Sequence, residues 1–312
     1  CWEIIIVKNV FEINGRKIGS EYIPYIIAEM SANHNGKIEN AFKIIDAAKA
    51  AGADAVKIQT YTADTMTVNS KDESFIIRGG LWDGWSLYNL YEWAHTPWEW
   101  HADLFKHARS KGITIFSTPF DNTAVDLLED LNTPAYKIAS FEMTDLPLIR
   151  YVASTKKPMI ISTGLANEEE IGEVIVTARE AGCVNLALLH CVSSYPAPPK
   201  DYNLMTMTDM KNKFGVMTGL SDHTLNNITA IASIALGATI IEKHFTLDRN
   251  RGGPDDSFSL EPSDLASLCK VSRSAWEARG KVDYGLKESE VSNLQFRRSL
   301  YYVTNLKKGT LL

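Results

Sequence analysis

What most constrains the fold of this chain is a rhythm. Short apolar runs at 25–30, 55–60, 114–118, 135–140, 159–163, 186–191, 216–223 and 238–245 alternate with segments whose apolar residues recur at helical spacing. The helical segments are 38–51, 99–111, 123–131, 146–154, 168–180, 205–213, 226–236 and 263–279. Strand and helix in strict alternation over about 250 residues is the pattern of a (β/α)8 TIM barrel. An open doubly wound sheet is the competing arrangement, but no GxGxxG follows the first run. The chain's 312 residues suit one barrel with appendages better than two equal domains.

Residues 4–19 alternate about Asn14-Gly15, a strong short-range hairpin signal, so 1–20 is expected to be an N-terminal β-hairpin. The barrel is then expected over 21–282, with 283–312 as an appended tail. An irregular stretch at about 62–98 holds Trp82, Trp85, Trp93 and Trp98. It is either a packed surface excursion or a wall over the barrel mouth.

Composition excludes several classes. A net charge of −6 argues against broad nucleic-acid binding, leaving room for a local cationic pocket. No apolar run approaches the roughly 18 residues that cross a membrane, and no signal-peptide pattern opens the sequence. Cys1, Cys183, Cys191 and Cys269 have no CxxC spacing, so a reducing, cytoplasmic setting is the expectation.

Barrel chemistry gathers at the carboxyl ends of the strands. Here those ends read Glu29, Lys57 with Gln59, Ser117-Thr118, Lys137 with Ser140, Ser162-Thr163, His190 with Ser193-Ser194-Tyr195, Ser221 with His223, and Glu242 with His244. One polar strand end is ordinary trim; eight point to an active site. His223 and His244 end consecutive runs joined by a crossover helix, so both imidazoles emerge at one sheet edge. Two neutral imidazoles with nearby oxygens suit a borderline divalent metal. Lys57 and Lys137, with Thr118, Ser140, Ser193 and Ser221, offer the cations and hydroxyls that hold phosphate. Either lysine could instead form a Schiff base, which needs no metal. Glu29 stands apart as a general base or water-positioning group. Spacing alone therefore reads as a metal-assisted lyase or transferase acting on a phosphorylated, carbonyl-type substrate. The reading from a different class is a non-catalytic barrel that binds a sugar or phosphate.

These segments also resemble the sialic acid synthase family, over about residues 20–300. The resemblance rests on IAEMSANHNG (27–36), VKIQT (56–60), FSTPFD (116–121), YKIAS (136–140), LLHCVSSYPAP (188–198), GLSDHT (219–224), and EKHFTLDR (242–249) with GGPDD (252–256). Within the family, SLYNLYEWAHTPWEWH (86–101) and SSYPAPP (193–199) are most similar to the pseudaminic acid synthases. Enzymes that make N-acetylneuraminate tend to carry Asn where Ser193 stands and lack the Trp-rich segment; a legionaminic acid synthase is the other alternative.

The resemblance implies condensation of phosphoenolpyruvate with an amino sugar, favouring a 2,4-diacetamido-2,4,6-trideoxy-altrose. It implies His223 and His244 as ligands of a divalent ion, usually Mn2+, with Mg2+ or Co2+ as alternatives. Phosphoenolpyruvate falls to Lys57, Thr118, Lys137, Ser140, Ser193 and Ser221, and the sugar to Gln59, Tyr195, Glu242 and Asp255. Glu29 matches the acid that positions or deprotonates water. The tail, with RRSLYYVTNLKKGTLL (297–312), resembles the linker and first strand of the family's C-terminal antifreeze-like (SAF) domain, which the sequence ends too early to complete. In relatives that domain reaches over the partner barrel of a homodimer and contributes an arginine, to which no residue here can be matched.

Overall fold

The computed structural model describes residues 10–311. Strands β1 (Val10–Ile13) and β2 (Arg16–Gly19) pair antiparallel as a hairpin. Asn14 and Gly15 at its turn have φ of 48° and 83°, the doubly positive pair that a type I′ turn requires. The rest of the expected hairpin, 4–9, lies outside the described residues.

Eight strands follow: β3 (Tyr25–Glu29), β4 (Ala55–Thr60), β5 (Thr114–Pro119), β6 (Tyr136–Ile138), β7 (Met159–Ser162), β8 (Leu186–Cys191), β9 (Met217–Asp222) and β10 (Ile240–His244). All pair in parallel, and β10 closes on β3, so the sheet is a closed barrel. That closure rules out the open doubly wound sheet. Helix α1 (Ile38–Ala51) follows β3, and the insert after β4 carries the short α2 (Ala63–Met66) and α3 (Leu87–Ala94). Then come α4 (His101–Lys111), α5 (Asn122–Asp130), α6 (Leu146–Ser154), α7 (Glu168–Glu180), α8 (Met205–Phe214), α9 (Ile228–Ala235) and α10 (Pro262–Arg279). Each long helix covers the outer face of the sheet, which is why the strands are apolar on both faces.

Side chains alternate in and out along every strand. Tyr25, Ile27, Phe116, Leu189 and Ile240 point inward and form a core with Phe11, Ile13 and Ile18 of the hairpin. The apolar face of the hairpin thereby plugs the amino-terminal end of the barrel, leaving the carboxyl end for chemistry. From Gly280 the chain forms a separate unit, Gly280–Leu312. It contains a 3-10 segment, Glu288–Phe296, and among the described residues no strand, including over 297–311 where a first strand was expected. A strand needs a neighbour for its backbone hydrogen bonds, and the described residues of that unit supply none. Among the described residues, no helix is long and apolar enough to cross a membrane.

Candidate active site

Inward parity and parallel register bring the predicted residues together. Register sets Glu29 beside Lys57, Gln59 beside Thr118, Glu242 beside Ser221, and His244 beside Glu29. Lys57 is the hub: its Nζ lies 2.7 Å from Glu29 Oε2 and 3.7 Å from Glu242 Oε1, and donates to Thr118 Oγ1 at 3.1 Å. Burial works against the Lys57 ammonium, but Glu242 and Glu29 outweigh it and hold its pKa above the ordinary value. Burial likewise pushes the Glu29 carboxyl up, against the pull of Lys57. Gln59 Nε2 donates to Glu29 Oε1 at 2.9 Å and to Ser31 Oγ at 3.1 Å, and Ser31 donates to Asp255 Oδ2. Glu242, matched to the sugar by resemblance, stands between the two lysines, with Lys137 Nζ 3.9 Å away.

The second lysine faces a different environment. Lys137 Nζ donates to Ser162 Oγ at 2.6 Å and to the Ile138 carbonyl at 2.9 Å. Burial depresses its pKa, with only partial relief from Glu242. Beside it, Ser140 Oγ accepts the Gly164 N–H at 3.2 Å, while Ser193 Oγ is buried without a partner. A Cβ on Gly164 would stand 2.3 Å from Ser193 Oγ and 2.7 Å from Ser140 Oγ. Two hydroxyls thus close on the bare backbone of Gly164, where any larger residue would collide with them.

The imidazoles of His223 and His244 lie 5.4 Å apart between ring centroids. His223 Nδ1 is 2.8 Å from the Val192 carbonyl. A carbonyl only accepts, so Nδ1 carries the proton and the neutral ring presents its lone pair at Nε2. Burial opposes the His223 cation, but Cys191 and the Val192 carbonyl draw its pKa up. His244 is held well below its usual value by burial, then by His223 and the lysines. Its Nδ1 is buried without a hydrogen bond, 3.7 Å from Asp255 Oδ2. Among the described residues, no group of three His, Cys, Asp or Glu side chains is arranged to hold a metal ion. The free Nε2 and the orphaned Nδ1 fit a two-nitrogen anchor whose other positions fall to water and substrate oxygens. Tyr195 packs over both rings, with centroids 4.4 Å from His223 and 6.0 Å from His244.

Three strand-end residues are misplaced by the sequence reading: Ser117, Thr163 and His190 face the helix layer, with Ser117 Oγ donating to the Ile58 carbonyl and Thr163 Oγ1 to the Leu189 carbonyl. His190 shares the outer face of β8 with Leu186 and Leu188, and its Nε2 meets the Tyr202 carbonyl in the helix layer. Cys191 takes the inward position instead, with Sγ 4.0 Å from His223 Nδ1. Burial opposes its ionisation, yet His223, Ser140 and Lys137 hold the thiol below its ordinary range. Sequence reasoning also missed Gly164 and Glu142. Glu142 sits two residues beyond Ser140, and burial pushes its carboxyl to about 7. Its place just past a strand end was the available signal.

The family model described as "NeuB family" matches residues 44–284, well over half of the chain. The chain belongs to the NeuB family. It is 46% identical over 287 residues to the pseudaminic acid synthase of Campylobacter jejuni subsp. jejuni serotype O:2, covering 92% of this chain and 84% of that one. It is 43% identical over 290 residues to the pseudaminic acid synthase of Helicobacter pylori, covering 93% and 85%. Among solved structures, the N-acetylneuraminic acid (sialic acid) synthetase of Leptospira borgpetersenii serovar Hardjo-bovis, in complex with citrate, matches with a TM-score of 0.82. It is 30% identical and covers 93% of this chain and 97% of that one. NeuB membership accounts for the seven segments that resembled the sialic acid synthases, and for the barrel that carries them.

Proposed function

We propose that this NeuB-family barrel is a pseudaminic acid synthase. It condenses phosphoenolpyruvate with 2,4-diacetamido-2,4,6-trideoxy-L-altrose and releases pseudaminic acid and phosphate. The observation that carries the reaction is the buried interleaving of Lys57 and Lys137 with Glu29 and Glu242, beside the paired imidazoles. The choice of sugar follows the higher identity to pseudaminic acid synthases than to the sialic acid synthetase.

Lys57 with Thr118, and Lys137 with Ser140, Ser193, Ser221 and the Gly164 cradle, hold the phosphate and carboxylate of phosphoenolpyruvate. His223 and His244 would hold a divalent ion, Mn2+ in this reading with Mg2+ or Co2+ as substitutes, which would supply Lewis acidity toward the sugar's carbonyl. Gln59, Tyr195, Glu242 and Asp255 place that sugar so that C3 of phosphoenolpyruvate reaches its aldehyde carbon. The bond forms between those two carbons, and the electron deficiency left at C2 is quenched by water. Glu29 accepts the water's proton, and the alkoxide formed from the aldehyde oxygen takes up a proton in turn; burial pushes the Glu29 carboxyl up. The C2–O bond to phosphate then breaks, and the lysines stabilise the charge that accumulates on the departing phosphate.

In the same reading the protein is a cytoplasmic homodimer without nucleic-acid or membrane partners, and 283–312 is the linker and start of an antifreeze-like domain. The test is product mass spectrometry with phosphoenolpyruvate, Mn2+ and each candidate hexose. The trideoxy-altrose should yield a nonulosonic acid and one equivalent of phosphate. Product from N-acetylmannosamine, or from a legionaminic acid precursor, would reassign the sugar. Binding of both substrates without product from any hexose would leave the non-catalytic barrel.

A further inference from the structure

The insert between β4 and α4 lays one side chain against the site. Trp82 donates its indole Nε1–H to the Pro254 carbonyl at 3.0 Å, and its ring tilts toward Tyr195 with centroids 5.9 Å apart. Tyr195 is the ring that covers both imidazoles, and Phe258 completes the set, 5.3 Å from Tyr195 and 5.0 Å from His244. Three aromatic rings from three separate segments therefore meet beside the imidazole pair. The other neighbours there are polar: Asp255, Ser31, Gln59 and Glu29 form one hydrogen-bonded chain. The site is thus chemically divided, with an apolar wall and a polar one.

A substrate with both kinds of substituent matches that division. The hydroxyls and amide groups of an amino sugar find partners on the polar chain. A methyl carbon placed against ring faces gains dispersion contacts, whereas a hydroxyl in the same place loses water without gaining an acceptor. Trp82 cannot rescue such a hydroxyl, because its one polar atom is already spent on Pro254. That bond also ties the insert to the residue before Asp255, so the wall and the polar chain share an anchor.

We infer that Trp82, acting with Tyr195 and Phe258, is the specificity-determining wall that receives the 6-deoxy carbon of the sugar and disfavours its 6-hydroxy counterpart. This rests on the reading of the chain as an amino-sugar synthase, and it adds the residue that makes the choice. The faces of Trp82 and Phe258, which offer no free polar atom, discriminate against an added hydroxyl by up to about a hundredfold, so the effect is measurable but bounded.

The experiment compares the parent chain with Trp82→Ala and Trp82→Phe. Calorimetric titration measures binding of the 6-deoxy diacetamido sugar and its 6-hydroxy analogue with Mn2+ but without phosphoenolpyruvate, so that no turnover occurs; steady-state kinetics with phosphoenolpyruvate follow on the same pair. The parent should bind the 6-deoxy sugar more tightly. Trp82→Ala should weaken it by about tenfold or more while changing the 6-hydroxy sugar by less than about threefold, collapsing the preference. Trp82→Phe, which keeps an apolar face, should restore most of that preference, with the KM for phosphoenolpyruvate unchanged in both variants. Equal weakening of both sugars would make Trp82 a structural prop and overturn the inference, as would a parent that binds them alike. A parent that prefers the 6-deoxy sugar in titration yet makes no product would refute the synthase reading while supporting the wall.

Discussion

Gly164→Ala isolates the proposed anion cradle from the fold. The φ of Gly164 lies outside the left-handed region, so alanine meets no backbone penalty there. The added methyl would stand 2.3 Å from Ser193 Oγ, 2.7 Å from Ser140 Oγ and 3.1 Å from Ser140 Cβ. The two closest atoms are hydroxyls on short side chains, which relieve most of the overlap by rotating about χ1, while Ser140 Cβ yields by a few tenths of an ångström. Rotation preserves the barrel but turns both donors away from the point on which they converge. Each hydrogen bond to a charged group is worth about 1.5–3 kcal/mol, so losing both, with some recovery through water, costs about 3 kcal/mol. At 1.4 kcal/mol per tenfold, affinity for phosphoenolpyruvate should fall by about two orders of magnitude. Titration calorimetry with phosphoenolpyruvate reads this directly, and a melting curve within about 2 °C of the parent would show the fold intact. The KM for the sugar should stay near its parental value. An alanine variant that melts like the parent and binds phosphoenolpyruvate within about threefold of it would refute the cradle.

Three further outcomes follow from the same geometry. His223→Ala or His244→Ala should abolish turnover and lose the Mn2+ signal bound to protein in electron paramagnetic resonance, because one imidazole cannot anchor the ion; full activity in excess chelator would revive the Schiff-base route through a lysine. Burial raises Glu142 from 4.5 to about 7, so the folded state holds a proton the unfolded state releases, and stability should fall as pH rises between those values and level off above. Glu142→Gln should flatten that slope, worth roughly 3 kcal/mol, in urea titrations; superimposable profiles would remove Glu142 as its source. Behind the imidazoles, buried Lys243 Nζ binds Asp222 Oδ2 at 3.0 Å and the carbonyls of Thr224 and Asn226 at 2.7 Å each. Asp222→Asn should destabilise the barrel by about 3–5 kcal/mol, and adding Lys243→Met should recover much of it; a single-variant loss under about 1 kcal/mol would mean the pair holds little.

The barrel itself was legible in the sequence because it is encoded locally. Helical and strand periods and the Asn14-Gly15 turn each act within a few residues. Strand ends could then be read off, and with them Glu29, Lys57, Lys137, Glu242, His223 and His244. Parity along a strand was not legible in the same way. A parallel strand covered by helices is apolar on both faces, so nothing local distinguishes His190, which faces out, from Cys191, which faces in. Register and closure were decided only in three dimensions. They set Glu242 between two lysines drawn from other strands, bring Gly164 against hydroxyls 24 and 29 positions away in the chain, Ser140 and Ser193, and rest Trp82 on Pro254. These are contacts between residues that share no local pattern, and they exist because closing eight strands leaves the neighbours at the barrel mouth no other place to meet.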